Sequence, residues 1–149
     1  KNKVSWNEES FLMAVKEVDE ELVEVCNKIL EQFRSFGCDI NWGNGKVTPS
    51  FVPLYRGKQE NKLFAVYAYS TGVKMEIYFK FFKEPYFTQT KKLDIKSKIN
   101  EIFKTNIKDE DLTKRPSVYI NPLKNEKNMK YFLDYFKIIV DDLKASPNN

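Results

Sequence analysis

Apolar residues recur at steps of three or four from Phe11 through Val15, Val18, Leu22, Val25, Ile29 and Phe33 to Phe36. That spacing predicts one long amphipathic helix from about Ser5 or Asn7 to Phe36. Ser5 with Glu8 fits a capping box, Asn7 is a second cap candidate, and Gly37 is placed to end the helix. The pattern then changes to strand character. Asp39–Trp42 is short and runs into the turn Gly43-Asn44-Gly45. Val47–Arg56 alternates, but Pro49 and Pro53 lack donors, which predicts an edge strand or an extended arm. Lys62–Ser70 and Lys74–Phe82 read as a hairpin closed by Thr71-Gly72. In its second strand Met75, Ile77, Phe79 and Phe81 share one face, and Lys74, Glu76, Tyr78 and Lys80 the other.

After Glu84-Pro85 the helical period returns, from about Thr90 to Lys104, with Ile95, Ile99, Ile102 and Phe103 inward. A polar connector follows, with a short helical turn at Glu110–Leu112 and a strand at Ser117–Ile120. The last helix covers roughly Asn125–Lys144, with Met129, Phe132, Leu133, Phe136, Ile139, Val140 and Leu143 inward. The expected fold class is therefore α+β in the order α-β-β-β-β-α-β-α, an antiparallel sheet with helices packed mainly on one face. A chain of 149 residues fits a single domain, 1–149. It opens on Lys1 rather than Met, which predicts a fragment of a longer protein or a processed chain.

The chain contains no histidine, which excludes His-based acid–base chemistry, the common serine and cysteine triads and nearly every catalytic zinc site. The clusters Asp19-Glu20-Glu21, Asp109-Glu110-Asp111 and Asp141-Asp142 fall on surfaces or a connector and read as solvated charge. Glu76 and Lys80 approach the acid-plus-lysine arrangement of some nucleases, but their spacing of four is wrong for it. No catalytic residue, cofactor or metal site is read, and the chain is expected not to be an enzyme. Cys26 and Cys38 are expected to be free thiols. The polar opening residues and the lack of a long apolar run point to a cytoplasmic protein with no membrane association.

Charge is unevenly spread: net −3 over residues 1–37, +3 over 38–90 and +4 over 91–149. The basic excess after the first helix suggests an anionic partner. The polar hairpin face carries Tyr67 and Tyr69 on one strand and Lys74, Tyr78 and Lys80 on the next. Aromatic rings beside ammonium groups can stack bases and neutralise phosphates, so Tyr69, Lys74, Tyr78 and Lys80 are the candidate nucleic-acid-binding residues. The same face could instead pack its tyrosines under a helix and use its lysines for solubility. Arg115, held extended by Pro116, is a candidate anion grip or a structural pin to the acidic first helix. Trp42-Gly43-Asn44-Gly45 invites a phosphate-binding reading, but no helix follows it, so a structural turn is expected.

Trp6 with Glu8 and Glu9, Trp42-Gly43-x-Gly45, Ser50-Phe51-Val52-Pro53, Leu63-Phe64-x-Val66, the Gly72 turn and Arg115-Pro116-Ser117 together form a pattern. It resembles a family of small bacterial α+β domains, found alone or appended to larger proteins, and its layout is similar to the MmcQ/YjbR-like domains. The resemblance implies nucleic-acid binding and brings no catalytic residues. The functional expectation is a non-catalytic module binding nucleic acid, with a protein-interaction or small-ligand domain as the alternative.

Overall fold

The computed structural model describes residues 5–149; the first four of the polar opening residues lie outside it. The described residues form four α-helices and a six-stranded antiparallel sheet, so the α+β class expected from the sequence holds. In chain order the helices and strands are α1 (Glu8–Val18), α2 (Glu21–Ser35), β1 (Asp39–Trp42), β2 (Ser50–Arg56), β3 (Glu60–Lys62), β4 (Phe64–Tyr69), β5 (Gly72–Ile77), α3 (Gln89–Phe103), β6 (Ser117–Tyr119) and α4 (Glu126–Ala145). The sheet runs β1-β2-β4-β5-β6, with β3 paired to β2.

The expected single first helix is two helices. Its apolar spacing carries straight through the break, from Val18 to Leu22, so periodicity could not reveal it. Asp19 makes the break: its backbone is extended, with φ −162° and ψ 106°, and its side chain accepts the Glu21 N–H at 3.0 Å. Asn7, rather than Ser5, caps α1, exchanging hydrogen bonds with Ser10 in a reciprocal box.

β2 is an interior strand, not the edge strand or arm its prolines suggested. An antiparallel residue points its N–H and C=O to the same side. On that side β2 changes partner, from β4 at Ser50 and Phe51 to β3 at Leu54–Arg56. Pro53 sits in the gap, where no donor is required, and its carbonyl still accepts the Leu63 N–H at 3.1 Å. The hairpin expected from Lys62–Ser70 and Lys74–Phe82 pairs antiparallel in the register Phe64↔Ile77 to Tyr69↔Gly72, but β5 ends at Ile77. Tyr78 turns the chain with φ −86° and ψ 46°, and Phe79–Phe81 form a 3-10 turn.

Alternation along β4 and β5 sends Phe64, Val66, Val73, Met75 and Ile77 to one face, all fully buried. There the helices dock through aromatic rings. Phe33 of α2 packs edge-on to Phe64 at 5.1 Å between centroids, Phe136 of α4 lies 5.5 Å from Phe64, and Phe11 of α1 lies 5.1 Å from Phe51. α3 joins the layer through Phe103, 6.1 Å from Phe132. Rings this deeply buried each contribute about 1.5–3 kcal/mol of hydrophobic stabilisation. The helices dock on that side; on the opposite face Tyr67, Tyr69, Lys74 and Tyr119 keep part of their surface exposed, while Ala65 is fully buried.

Candidate nucleic-acid interface on the open sheet face

Register fixes which side chains meet on the open face. One row crosses four strands, Ser50–Tyr67–Lys74–Tyr119; the next is Ala65–Glu76–Ser117; and Tyr69 faces Gly72. β6 is only three residues long, but flanking bonds from Ile77 N–H to Pro116 and from Ile120 N–H to Val73 extend its hold on β5. Tyr67 and Tyr69 stack with centroids 5.5 Å apart and planes 18° from parallel. The Lys74 ammonium stands 4.7 Å from the centre of the Tyr119 ring, a cation–π contact on a ring that is 48% exposed. Glycine is required at Gly72: its φ is +152°, and a Cβ there would come within 2.7 Å of the Tyr119 ring.

Glu76 is the acid of this face, with a side chain only 14% exposed. Its Oε1 lies 3.3 Å from Arg115 Nε yet makes no aligned hydrogen bond and is buried. The Arg115 guanidinium also lies 5.7 Å from the Tyr78 ring. Burial, and then the Glu76 carboxylate beside it, push the Tyr69 hydroxyl above its ordinary range. Burial, and then the Tyr67 hydroxyl, do the same to Tyr78. Both phenols therefore stay protonated at neutral pH, Tyr69 beside the Glu76 carboxylate and Tyr78 beside the Tyr67 hydroxyl.

The structure brings Tyr69, Lys74 and Arg115 into one patch and treats the other two candidates differently. Tyr78 lies beside the patch but is 6% exposed, its ring packed against Phe81 at 4.8 Å, so it is a wall rather than a stacking platform. Lys80 is exposed on the 3-10 turn beyond the sheet, where its N–H binds the Lys114 carbonyl at 2.9 Å. Its ammonium lies 6.0 Å from the Phe81 ring, and that of Lys114 lies 4.0 Å from the Asp111 carboxylate. Arg115 pins to Glu76 on β5, not to the first helix. Tyr119 was missed as a site residue, and Glu76 was weighed only with Lys80 and set aside. Tyr119 was legible only as part of a short strand, and its place beside Lys74 depends on β6 pairing with β5 across the intervening chain from 78 to 116.

Other sequence candidates resolve as structure. The carbonyls of Gly43 and Gly45 accept the backbone and indole N–H of Trp6, and the Gly43 N–H is bound to Ser50, so this turn is a tether. Asp19 and Glu21 hold Lys124, Asp141 holds Lys137, and Asp142 accepts from Tyr86. Among the described residues no cluster could hold a metal ion, and no helix is long and apolar enough to cross a membrane. A groove of about 920 Å³ lies elsewhere, between α2 and α4, floored by Val25, Phe36, Leu123, Met129 and Leu133. Its rim mixes Glu21, Glu24 and Asp134 with Lys28, Lys124 and Lys130, so it favours neither sign of partner. Comparisons with protein-family models, curated proteins and solved structures return no match, and the functional reading rests on the geometry of the open face.

Proposed function

We propose that this chain is a non-catalytic module that binds single-stranded nucleic acid on the open face of its sheet. One observation carries the reading. β4, β5 and β6 place Tyr67, Tyr69 and Tyr119 beside Lys74 and Arg115 on the one sheet face that the helices leave uncovered. Rings stack on bases regardless of sequence, and cations track the phosphates. From the Lys74 row to the Arg115 row is four strand residues, roughly 13 Å at about 3.3 Å each, room for a few extended nucleotides. The exposed Lys80 and Lys114 follow where the chain leaves the sheet, Lys114 with Asp111 4.0 Å away. A protein or apolar ligand would favour an apolar, concave surface. This one is polar and aromatic, which supports nucleic acid over the alternative.

Fluorescence anisotropy with labelled octamers at about 50 mM salt, where phosphate contacts count most, tests the proposal. Single strands should bind more tightly than duplexes, whose bases are not free to stack. Tyr119→Ala and Tyr69→Ala should each weaken binding by about 1–3 kcal/mol, the usual contribution of one stacking ring. Absence of binding at high micromolar protein, or binding undiminished in both alanine variants relative to the unaltered protein, would refute it.

A further inference from the structure

The Gly43-Asn44-Gly45 turn is a tether, and its own chemistry can cut it. Asn44 is the only asparagine of the chain that is followed by glycine. In such a pair the backbone nitrogen of the second residue can attack the side-chain amide carbon of the first. A Cβ on the second residue hinders that approach, and glycine has none. The attacking nitrogen must also be free of a hydrogen bond, and the backbone must not be locked in a helix or strand. Asn44 meets these conditions. Asn44 and Gly45 are both exposed in the loop between β1 and β2, outside any helix or strand, and Val47 just beyond them is 85% exposed. Among the described residues neither the Asn44 side chain nor the Gly45 N–H has a hydrogen-bond partner. Asn106 is the instructive contrast. It is equally exposed in a loop, but the next residue is branched, and the Ile107 N–H is already given to Asn100 Oδ1 at 2.8 Å. Asn27, Asn100 and Asn128 lie within helices, where the following N–H is spent on the helical ladder.

The residues on either side of Asn44 are held. The Gly43 N–H donates to the Ser50 carbonyl at 2.9 Å, and the Gly43 carbonyl accepts the Trp6 backbone N–H at 3.2 Å. The Gly45 carbonyl accepts the Trp6 indole N–H at 2.8 Å. Trp6 thus bridges the carbonyls on both sides of Asn44, and it directly precedes Asn7, the cap of α1. We propose that Asn44 is a self-modifying site: in the folded protein it deamidates to isoaspartate, and the altered backbone releases Trp6 from the turn. The steps balance without any oxidant or reductant. A bond forms from Gly45 N to Asn44 Cγ and the Cγ–Nδ2 bond breaks; the side-chain nitrogen leaves as ammonia, taking the proton of the Gly45 N–H. Water then opens the cyclic imide at one of its two carbonyls. Opening at the backbone carbonyl carries the main chain through the former side chain, giving isoaspartate with an added main-chain carbon and a free carboxylate. Opening at the side-chain carbonyl gives aspartate and leaves the main chain as it was. The added carbon of isoaspartate stands between the two carbonyls that Trp6 bridges, so their spacing no longer matches its two donors. The start of α1 then loses its hold on the sheet. This site is independent of nucleic-acid binding.

Peptide mass spectrometry of the folded protein, aged in mildly alkaline buffer, tests the proposal, with a methyltransferase specific for isoaspartyl residues marking the rearranged product. The Asn44 peptide should gain the mass of an amide-to-acid exchange and accept the methyl label, while the Asn106 peptide should do neither. Asn44 should react in the folded protein about as fast as in the same chain unfolded in urea. Gly45→Ala should slow the exchange several-fold; among the described residues its Cβ would meet only the Thr48 carbonyl oxygen, at 3.6 Å, so the turn accommodates it. In NMR spectra the Trp6 indole N–H signal should move as isoaspartate accumulates, and the amides of the first turn of α1 should exchange faster with solvent. Freshly prepared Asn44→Asp carries the carboxylate without the added carbon and should leave the indole signal in place. A rate at Asn44 no greater than at Asn106, a reaction that needs the chain unfolded, or one undiminished in Gly45→Ala overturns the modification. An indole signal unmoved in converted protein, or moved equally by Asn44→Asp, overturns the release of Trp6. Should Gly45→Ala not fold, the comparison of Asn44 with Asn106 in the unaltered protein decides alone.

Discussion

Four cations stand on or near the open face: Lys74 and the Glu76-paired Arg115 on the patch, Lys80 and the Asp111-paired Lys114 where the chain leaves it. If three or four of them each neutralise a phosphate, the logarithm of affinity should fall with the logarithm of salt at a slope of about −2 to −3, taking roughly 0.7 per contact for a single strand. Raising salt from about 50 to 200 mM would then weaken binding roughly 20- to 50-fold. Lys74→Ala removes one contact, so its slope should be shallower by about 0.7 and its loss over the same range roughly 7- to 20-fold. Lys74→Ala with Lys80→Ala should flatten the slope by about twice as much. Tyr119→Ala should lower affinity and leave the slope where it was, because a ring releases no counterions. Anisotropy titrations of one uridine octamer at four salt concentrations give every slope. An unchanged slope in the double variant, or a slope that falls with Tyr119→Ala, would show that the positive edge does not meet the phosphate chain.

Two further outcomes concern the scaffold. Phe33 is fully buried where α2 and α4 meet β4, so Phe33→Ala should cost about 3–5 kcal/mol and lower Tm by roughly 6–20 °C in a thermal melt, whereas Tyr119→Ala should leave Tm nearly unchanged. Cys26 and Cys38 are buried free thiols, and burial pushes both up to about 12. Iodoacetamide near pH 8 should leave the folded protein unmodified and add two groups once it is unfolded. Because the unfolded thiols ionise first, at about 8.5, stability against urea should be level below that pH and decline as pH rises towards 12.

Most of the architecture was legible in local pattern. The hairpin register, the inward faces of α3 and α4 and the short strand at Ser117 follow from alternation and three-to-four spacing, because one face of each element is buried. What stayed hidden depended on distant partners. The break at Asp19 is held by its backbone and by Lys124, more than a hundred residues away, while the apolar spacing runs on undisturbed. Pro53 reads as an edge signal until the change of partner along β2 shows that its missing N–H has nothing to bind. Strand period extrapolated past Ile77 placed Tyr78 and Lys80 together on the sheet, but the chain turns there, burying one and carrying the other beyond the sheet. Glu76 could be seen as a polar strand residue; its pairing with Arg115 could not, since it needs β6 beside β5.

The central claim, that the open face is the binding surface, is tested most directly by titrating isotope-labelled protein with a uridine octamer and following backbone amide shifts by NMR. Shifts should concentrate at Tyr67–Lys74 and Ser117–Tyr119 and spare α2 and α4. Shifts confined to the groove around Val25, Leu123 and Met129, or none at saturating octamer, would contradict it.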